Sequence, residues 1–290
     1  MRFTIFQESR VGKRRTNQDR VAYSYTRDAL LLVLADGMGG HLYGEVAAQI
    51  SVQFIAQSFQ QEARPKVTDP ILFLSRVLSN AHHAILDYAF DKHLADIPRT
   101  TIVACLVQDG IAHWAHAGDS RLYLIRRGKL AAQTRDHSRV QLMLDQGLLD
   151  AESAAVHPGR NRIFSCLGGS HPPQIEFSRG TPLANGDVIA ICSDGVWGPL
   201  DTDTLVHTLA EAMGAFYKVV SQWGVPVILQ TYIPGEEFNV VAVGDGKGGM
   251  LGAVPMKKMV ITDKGKGWAG ITVKDPELLA VARDFVAATR

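Results

Sequence analysis

Four aspartates, Asp19, Asp36, Asp119 and Asp194, each stand where an apolar run meets a turn, and three of them adjoin glycine. Hard divalent cations such as Mn²⁺ and Mg²⁺ take carboxylate, carbonyl and water oxygens, and Mg²⁺ keeps several of its waters. Few carboxylates are needed per ion, so four acids can supply a two-metal centre. The histidine- and cysteine-rich sets that zinc favours are absent. Any one of these aspartates could equally be a turn cap; the four together, all at strand ends, point to metal. Asp36 is the central one. It ends the run Leu30-Leu31-Leu32-Val33-Leu34-Ala35 and opens Asp36-Gly37-Met38-Gly39-Gly40. A carboxylate beside a dry core is costly unless a cation or several donors meet it. The glycines let backbone approach whatever Asp36 holds.

The elements that position these acids follow from periodicity. Short apolar runs bounded by turn residues predict strands at 3–7, 20–25, 29–35, 101–108, 111–117, 121–126, 175–179 and 187–192. Asp109-Gly110 between two apolar runs is a hairpin signal. Helical spacing predicts amphipathic helices over 45–60 and 70–94, and a shorter one over 140–147. His82 and His83 fall in the second helix and are expected on its surface. Residues 151–166 read as irregular. Many strands with helices set between them, not alternating one by one, predict an α+β fold: an antiparallel β-sandwich flanked by helices.

Composition narrows the classes of function. With 30 basic and 29 acidic residues in 290, no basic field favours nucleic acid or an anionic membrane. Cys105, Cys166 and Cys192 lack metal-ligand spacing and read as small, reduced filler. No run approaches the ~20 apolar residues of a membrane span, and the N-terminal residues carry no secretory pattern. The expectation is a soluble, cytoplasmic protein.

Arg14-x-x-Asn17-Gln18-Asp19, Ala35-Asp36-Gly37-Met38-Gly39-Gly40-His41, Gly44-Glu45, Thr100-Thr101, Ala117-Gly118-Asp119-Ser120-Arg121, Asp136-His137-Ser138 and Ser193-Asp194-Gly195-Val196-Trp197 occur in that order. In order and spacing they resemble the metal-dependent (type 2C) serine/threonine protein phosphatases, bacterial branch, over about residues 1–209. The resemblance implies that Asp36 bridges two Mn²⁺ or Mg²⁺ ions and that the Gly37 carbonyl binds one of them. Asp19 and Asp194 contribute to the same pair, and Asp119 with Asp194 holds a third, weaker ion. It implies that Arg14 grips the substrate phosphate, a task suited to a guanidinium, which meets phosphate through two parallel bonds. It also implies a phosphoprotein substrate and an opposing serine/threonine kinase. His41 and His137 are read as structural, and the general acid is unassigned because Met38 stands where some eukaryotic members have histidine. Residues 139–170 correspond to the family's flap, which influences substrate choice.

The resemblance breaks after Leu209. An Asp-Asn pair leading a closing strand, with the Asp a metal ligand, is missing. Instead Gln230-x-Tyr232-Ile233-x-Gly235-Glu236-Glu237 and its surroundings resemble part of an ATP-grasp domain of the carbamoyl-phosphate-synthetase-like kind. That segment is partial, without lid lysines or the Glu-x-Asn metal motif. The expected organisation is therefore a phosphatase-like domain lacking its usual closing strand (1–210) and a partial ATP-grasp-like α+β segment (211–290). The leading function is metal-dependent hydrolysis of phosphoserine and phosphothreonine in proteins. A non-catalytic phosphoprotein-binding regulatory module and an ATP-grasp nucleotide-binding fragment are the alternatives.

Phe238-Asn239 followed by Val240-Val241-Ala242-Val243 has the pattern of the missing strand, with Phe at the ligand position. If that segment stands in for the strand, Phe238→Asp should lower the Mn²⁺ concentration that half-activates the protein. Superimposable Mn²⁺ titrations of parent and variant would place residue 238 outside the phosphatase site.

Overall fold

The structure, a computed structural model, describes residues 3–11, 14–38, 43–160, 162–223, 238–244, 250–261, 267–272 and 276–288. In chain order its first half runs β1 (Asp19–Tyr25), β2 (Ala29–Asp36), α1 (Gly44–Glu62), α2 (Pro70–Asp91), β3 (Arg99–Thr100), β4 (Ile102–Gln108), β5 (Ile111–Ala117), β6 (Arg121–Arg126) and β7 (Lys129–Gln133). There follow α3 (Arg139–Asp145), α4 (Ala151–Val156), β8 (Leu167–Gly168), β9 (Glu176–Phe177), β10 (Thr181–Pro182), β11 (Val188–Cys192), α5 (Asp194–Trp197) and α6 (Thr202–Trp223). The remainder is β12 (Phe238–Gly244), β13 (Met250–Ile261), β14 (Gly267–Thr272) and α7 (Pro276–Ala288).

The unbroken apolar character of β2 and β4 has a direct cause: each is covered on both faces. Leu31, Val33, Ala35, Ile102, Ala104 and Leu106 meet α1 and α2 in one cluster, while Leu30, Leu34, Val103, Cys105 and Val107 join Leu122 of β6 in another. Period-two alternation thus assigns odd and even residues to different apolar layers. The first sheet has the order β1-β2-β4-β5-β10, with β9 also pairing β5, and the second has the order β11-β6-β7. On the outer face of the second sheet, Tyr123, Ile125 and Cys192 pack with Leu205, Val206 and Leu209 of α6. The layering is helix, sheet, sheet, helix, a β-sandwich flanked by helices.

Local chemistry sets the boundaries. Asp69 caps α2, its carboxylate accepting from the N–H groups of Ile71 and Leu72 at 2.9 and 3.0 Å, and Pro70 opens the helix with no N–H to satisfy. The β4–β5 hairpin turns through Asp109 and Gly110, both at positive φ (54° and 72°), as the twist of a two-residue hairpin requires. Arg126 forks onto the half-buried Asp187 at 2.9 and 2.6 Å, fixing the entry to β11 beside β6.

Three expectations change. Residues 3–7 form no strand: none of the described residues offers them a ladder, although Ile5 still packs against the inter-sheet cluster. Within the segment read as irregular, Asp150 caps the short helix α4 through the Ser153 N–H at 2.7 Å. His82 is not on the helix surface; it is buried, its Nδ1 accepts from the Gly168 N–H at 3.1 Å, and burial lowers its pKa.

The chain divides into two compact units, Met1–Val227 and Ile228–Arg290. The boundary expected at 210/211 falls within α6. In the second unit β12, β13 and β14 form an antiparallel meander, with α7 against β12 and β13. The stretch 230–237 that carries the ATP-grasp resemblance lies outside the described residues. Among the described residues, no helix is long and apolar enough to cross a membrane.

Gly118 has φ 115°, and a Cβ there would lie 2.6 Å from the Thr101 Cβ. Gly118→Ala should cost about 2 kcal/mol or more through backbone strain and overpacking, read by denaturant unfolding. A variant as stable as the parent would mean that the turn relaxes freely.

A cluster of carboxylates at one end of the sandwich

The register of the first hairpin brings two of the four acids together. Antiparallel pairing sets Asp19, the first residue of β1, directly opposite Asp36, the last of β2. Like charges in that relation repel, and here both residues are half-buried. Burial first, then the carboxylates of Asp19, Asp194 and Asp119, push Asp36 up to about 9. Asp119, only 8% exposed, is pushed up to about 7 by burial and then by Asp194 and Asp136. All four sequence-predicted acids therefore converge on one electrostatic centre.

Asp36 and Asp19 are each held by neighbours remote in sequence. Thr101 is the link between Asp36 and the Gly118-Asp119-Ser120 turn. Its N–H donates to the Asp36 carbonyl at 2.9 Å, and its hydroxyl accepts from the Asp36 N–H at 3.1 Å. The same hydroxyl meets that of Ser120 at 2.7 Å. The Thr100 hydroxyl adds a second bond to the Asp36 carbonyl at 2.9 Å. From the other sheet, the Ser193 hydroxyl donates to Asp19 at 2.8 Å, tying the end of β11 to the start of β1. Asn17 closes a turn onto the Asp19 N–H at 3.0 Å, and Gln18 donates to Glu45 of α1 at 3.1 Å.

Gly37 is squeezed between backbones. A Cβ on it would lie 2.4 Å from the Gly44 carbonyl oxygen and 2.9 Å from that of Gln18. The start of α1 therefore rests directly on the turn that follows Asp36, which accounts for glycine at both positions. Gly39, Gly40 and His41 lie outside the described residues. Arg14 is exposed on a bend, and its guanidinium makes no bond to a described residue.

Sequence reading missed His116. It is buried beneath His137, the rings stacked 4.6 Å apart, with Glu176 3.6 Å from the His137 Nε2. This is the one set of three possible ligands within 4.8 Å of one another among the described residues. Its hydrogen bonds set the tautomers: His116 Nδ1 is left as a buried, unprotonated nitrogen with no hydrogen-bond partner among the described residues, and only the proton of His137 argues against a metal there. The Arg135 carbonyl, 2.7 Å away, demands a proton on His116 Nε2. The Gly118 N–H occupies His137 Nδ1 at 3.3 Å, which leaves the His137 proton on Nε2, facing Glu176. Burial, then His116, lowers the His137 pKa and favours the neutral ring. The stacked rings set the Asp136-His137-Ser138 loop against β5.

A family model described as protein phosphatase 2C matches residues 7–225. The serine/threonine phosphatase stp of Listeria monocytogenes is 28% identical over 227 residues, covering 76% of this chain and 90% of that protein. Serine/threonine protein phosphatase PstP of Mycobacterium tuberculosis is 33% identical over 198 residues, covering 68% of this chain; the chain spans 37% of PstP's length. A solved PstP catalytic domain, in complex with two manganese ions, superposes with a TM-score of 0.58 at 29% identity, covering 73% of this chain and 87% of that one. Most of the sandwich and all four converging acids lie inside the matched span, and the chain belongs to the protein phosphatase 2C family.

Proposed function

We propose that this chain hydrolyses phosphoserine and phosphothreonine in proteins, using water activated by Mn²⁺ or Mg²⁺ held at the carboxylate cluster. The observation that carries this reading is the opposed pair Asp19 and Asp36, joined by Asp119 and Asp194 in one centre within a protein phosphatase 2C fold. The residues fit such ions. The donors are hard oxygens, and the displaced pKa of Asp36 is the mark of crowded negative charge that divalent cations would neutralise. Two bound ions would supply a hydroxide-like nucleophile near neutral pH and a clamp on the attacking and leaving oxygens.

In this reading Asp36 would be shared by both ions, with the Gly37 carbonyl, Asp19 and Asp194 as the further ligands of the pair. Asp119 would hold a third, weaker ion together with Asp194. Arg14, exposed and without a partner among the described residues, is free to take the phosphate through its guanidinium fork. A kinase that phosphorylates serine or threonine would supply the substrate. For residues 211–290 a partial ATP-grasp-like segment stays a proposal. Its support is the sequence resemblance at Gln230 to Glu237 alone, and calorimetry with ATP tests it.

Two variants check the assignment. Asp36→Asn should abolish hydrolysis of p-nitrophenyl phosphate and of phosphopeptides, yet stabilise the metal-free chain at alkaline pH. The sign follows from linkage: the folded-state pKa of Asp36, about 9, lies above the ordinary 3.8. Its contribution is complete at pH below that ordinary value and is lost as the pH climbs through about 9. In EDTA near pH 9 the variant should melt about 5 °C higher than the parent, with the gap closing towards pH 4. Parallel melting curves across that range would contradict the crowded-acid account.

Arg14→Lys keeps the charge and loses the fork. It should raise KM for a phosphopeptide about fivefold and leave Mn²⁺ affinity within about twofold. An unchanged KM would move the phosphate grip away from Arg14.

A further inference from the structure

One guanidinium is held by three partners between the elements that carry Asp119 and Asp194. Arg121, the first residue of β6, is the register partner of Cys192, the last of β11. Asp119 precedes Arg121 by two residues, and Asp194 follows Cys192 by two, so both carboxylates leave the sheet at the same end. Among the described residues no bond joins their side chains directly, so their separation is set by what lies behind them.

That support is specific. Arg121 Nε and Nη2 donate to the two oxygens of Asp136, each at 2.8 Å, and Nη1 donates to the Tyr123 hydroxyl at 3.2 Å. The face of the guanidinium stacks on the Trp197 ring, with Cζ 3.6 Å from the ring centroid. Arg121 and Asp136 are both largely withdrawn from water, their side chains 17% and 7% exposed. Trp197 closes the single turn α5 that Asp194 begins, and the Gly198 N–H donates back to the Asp194 carbonyl at 2.7 Å. Seating Trp197 on Arg121 therefore seats Asp194. Meanwhile the Asp136 fork fixes the guanidinium itself, through the loop whose His137 N–H donates to the Gly118 carbonyl at 2.9 Å.

We propose that Arg121 is a positioning residue that sets the spacing of Asp119 and Asp194, and with it the affinity of the ion these two carboxylates share. The inference rests on the metal assignment made above. A lysine cannot replace the arginine, because the position uses planarity three times: in the fork, in the bond to tyrosine and in the stack. Supporting groups of this kind, one step removed from the ligands, typically alter metal affinity by about 10–100-fold.

The test is direct Mn²⁺ binding, by calorimetry and electron paramagnetic resonance, to the full chain and to Asp119→Asn, Arg121→Lys and Trp197→Leu. The parent should show tight and weak classes of site, and Asp119→Asn should remove the weak class alone. Arg121→Lys should weaken the weak class about 10-fold or more and leave the tight class within about twofold. Trp197→Leu should move the weak class in the same direction by less. If Asp119→Asn leaves the weak class intact, the metal assignment of Asp119 fails first. If it removes the weak class while Arg121→Lys and Trp197→Leu do not alter it, the assignment stands and the inference about Arg121 is overturned. Equal loss of both classes in Arg121→Lys would make the arginine a general stabiliser and also overturn it. Should Arg121→Lys not fold, Trp197→Leu decides alone.

Discussion

The structure turns on the electrostatic cost of placing Asp19 opposite Asp36 at the mouth of a dry sandwich. Antiparallel register, not flexible loops, fixes that opposition, so the chain cannot relax it by small motions. Asp119 and Asp194 arrive from the second sheet and add to the same field. A fold that gathers carboxylates this way without cations carries a standing penalty. With divalent ions the penalty becomes binding energy, and the strand ends that impose it become the frame of a reaction centre.

The frame is rigid because both sheets are covered on both faces. Side chains of β2 and β4 interdigitate with the helices on one side and with β6 and β11 on the other, as close packing requires. The acids are then trimmed into place by short side chains. Thr101 couples Asp36 to the Asp119 turn, Ser193 couples Asp19 to the Asp194 turn, and Arg121 joins the two turns from behind. Among the described residues β11 is paired on one side only. The strand that leads into Asp194 is thus less supported than those leading into Asp19 and Asp36, which gives the Arg126–Asp187 fork and the Arg121–Trp197 stack their importance.

Much of this was legible in the sequence because it is encoded locally. An apolar run long enough for a strand and broken by an acid beside glycine marks both the strand end and the acid it displays, and Asp36, Asp119 and Asp194 were all visible that way. The two main helices were legible from their periodicity, and the β4–β5 turn from Asp109-Gly110. What the sequence did not reveal depends on distant partners. His82 looks like a helix-surface residue until Gly168, 86 positions away, supplies its donor. His116 gives no signal because its partner His137 arrives by a loop. Residues 3–7 have strand-like alternation, but a strand exists only with a neighbour to pair with, and alternation says nothing about that neighbour. The short helix α4 depends on one capping aspartate and is too brief to show a period.

The most direct measurement is a crystal structure of the chain grown with Mn²⁺, with data collected at the manganese absorption edge. The account predicts two strong anomalous peaks roughly 3.5–4 Å apart, sharing the Asp36 carboxylate, with Asp19 and Asp194 as further ligands. A weaker third peak should lie between Asp119 and Asp194. An isolated peak at His116, His137 and Glu176, or none within reach of Asp36, would contradict it.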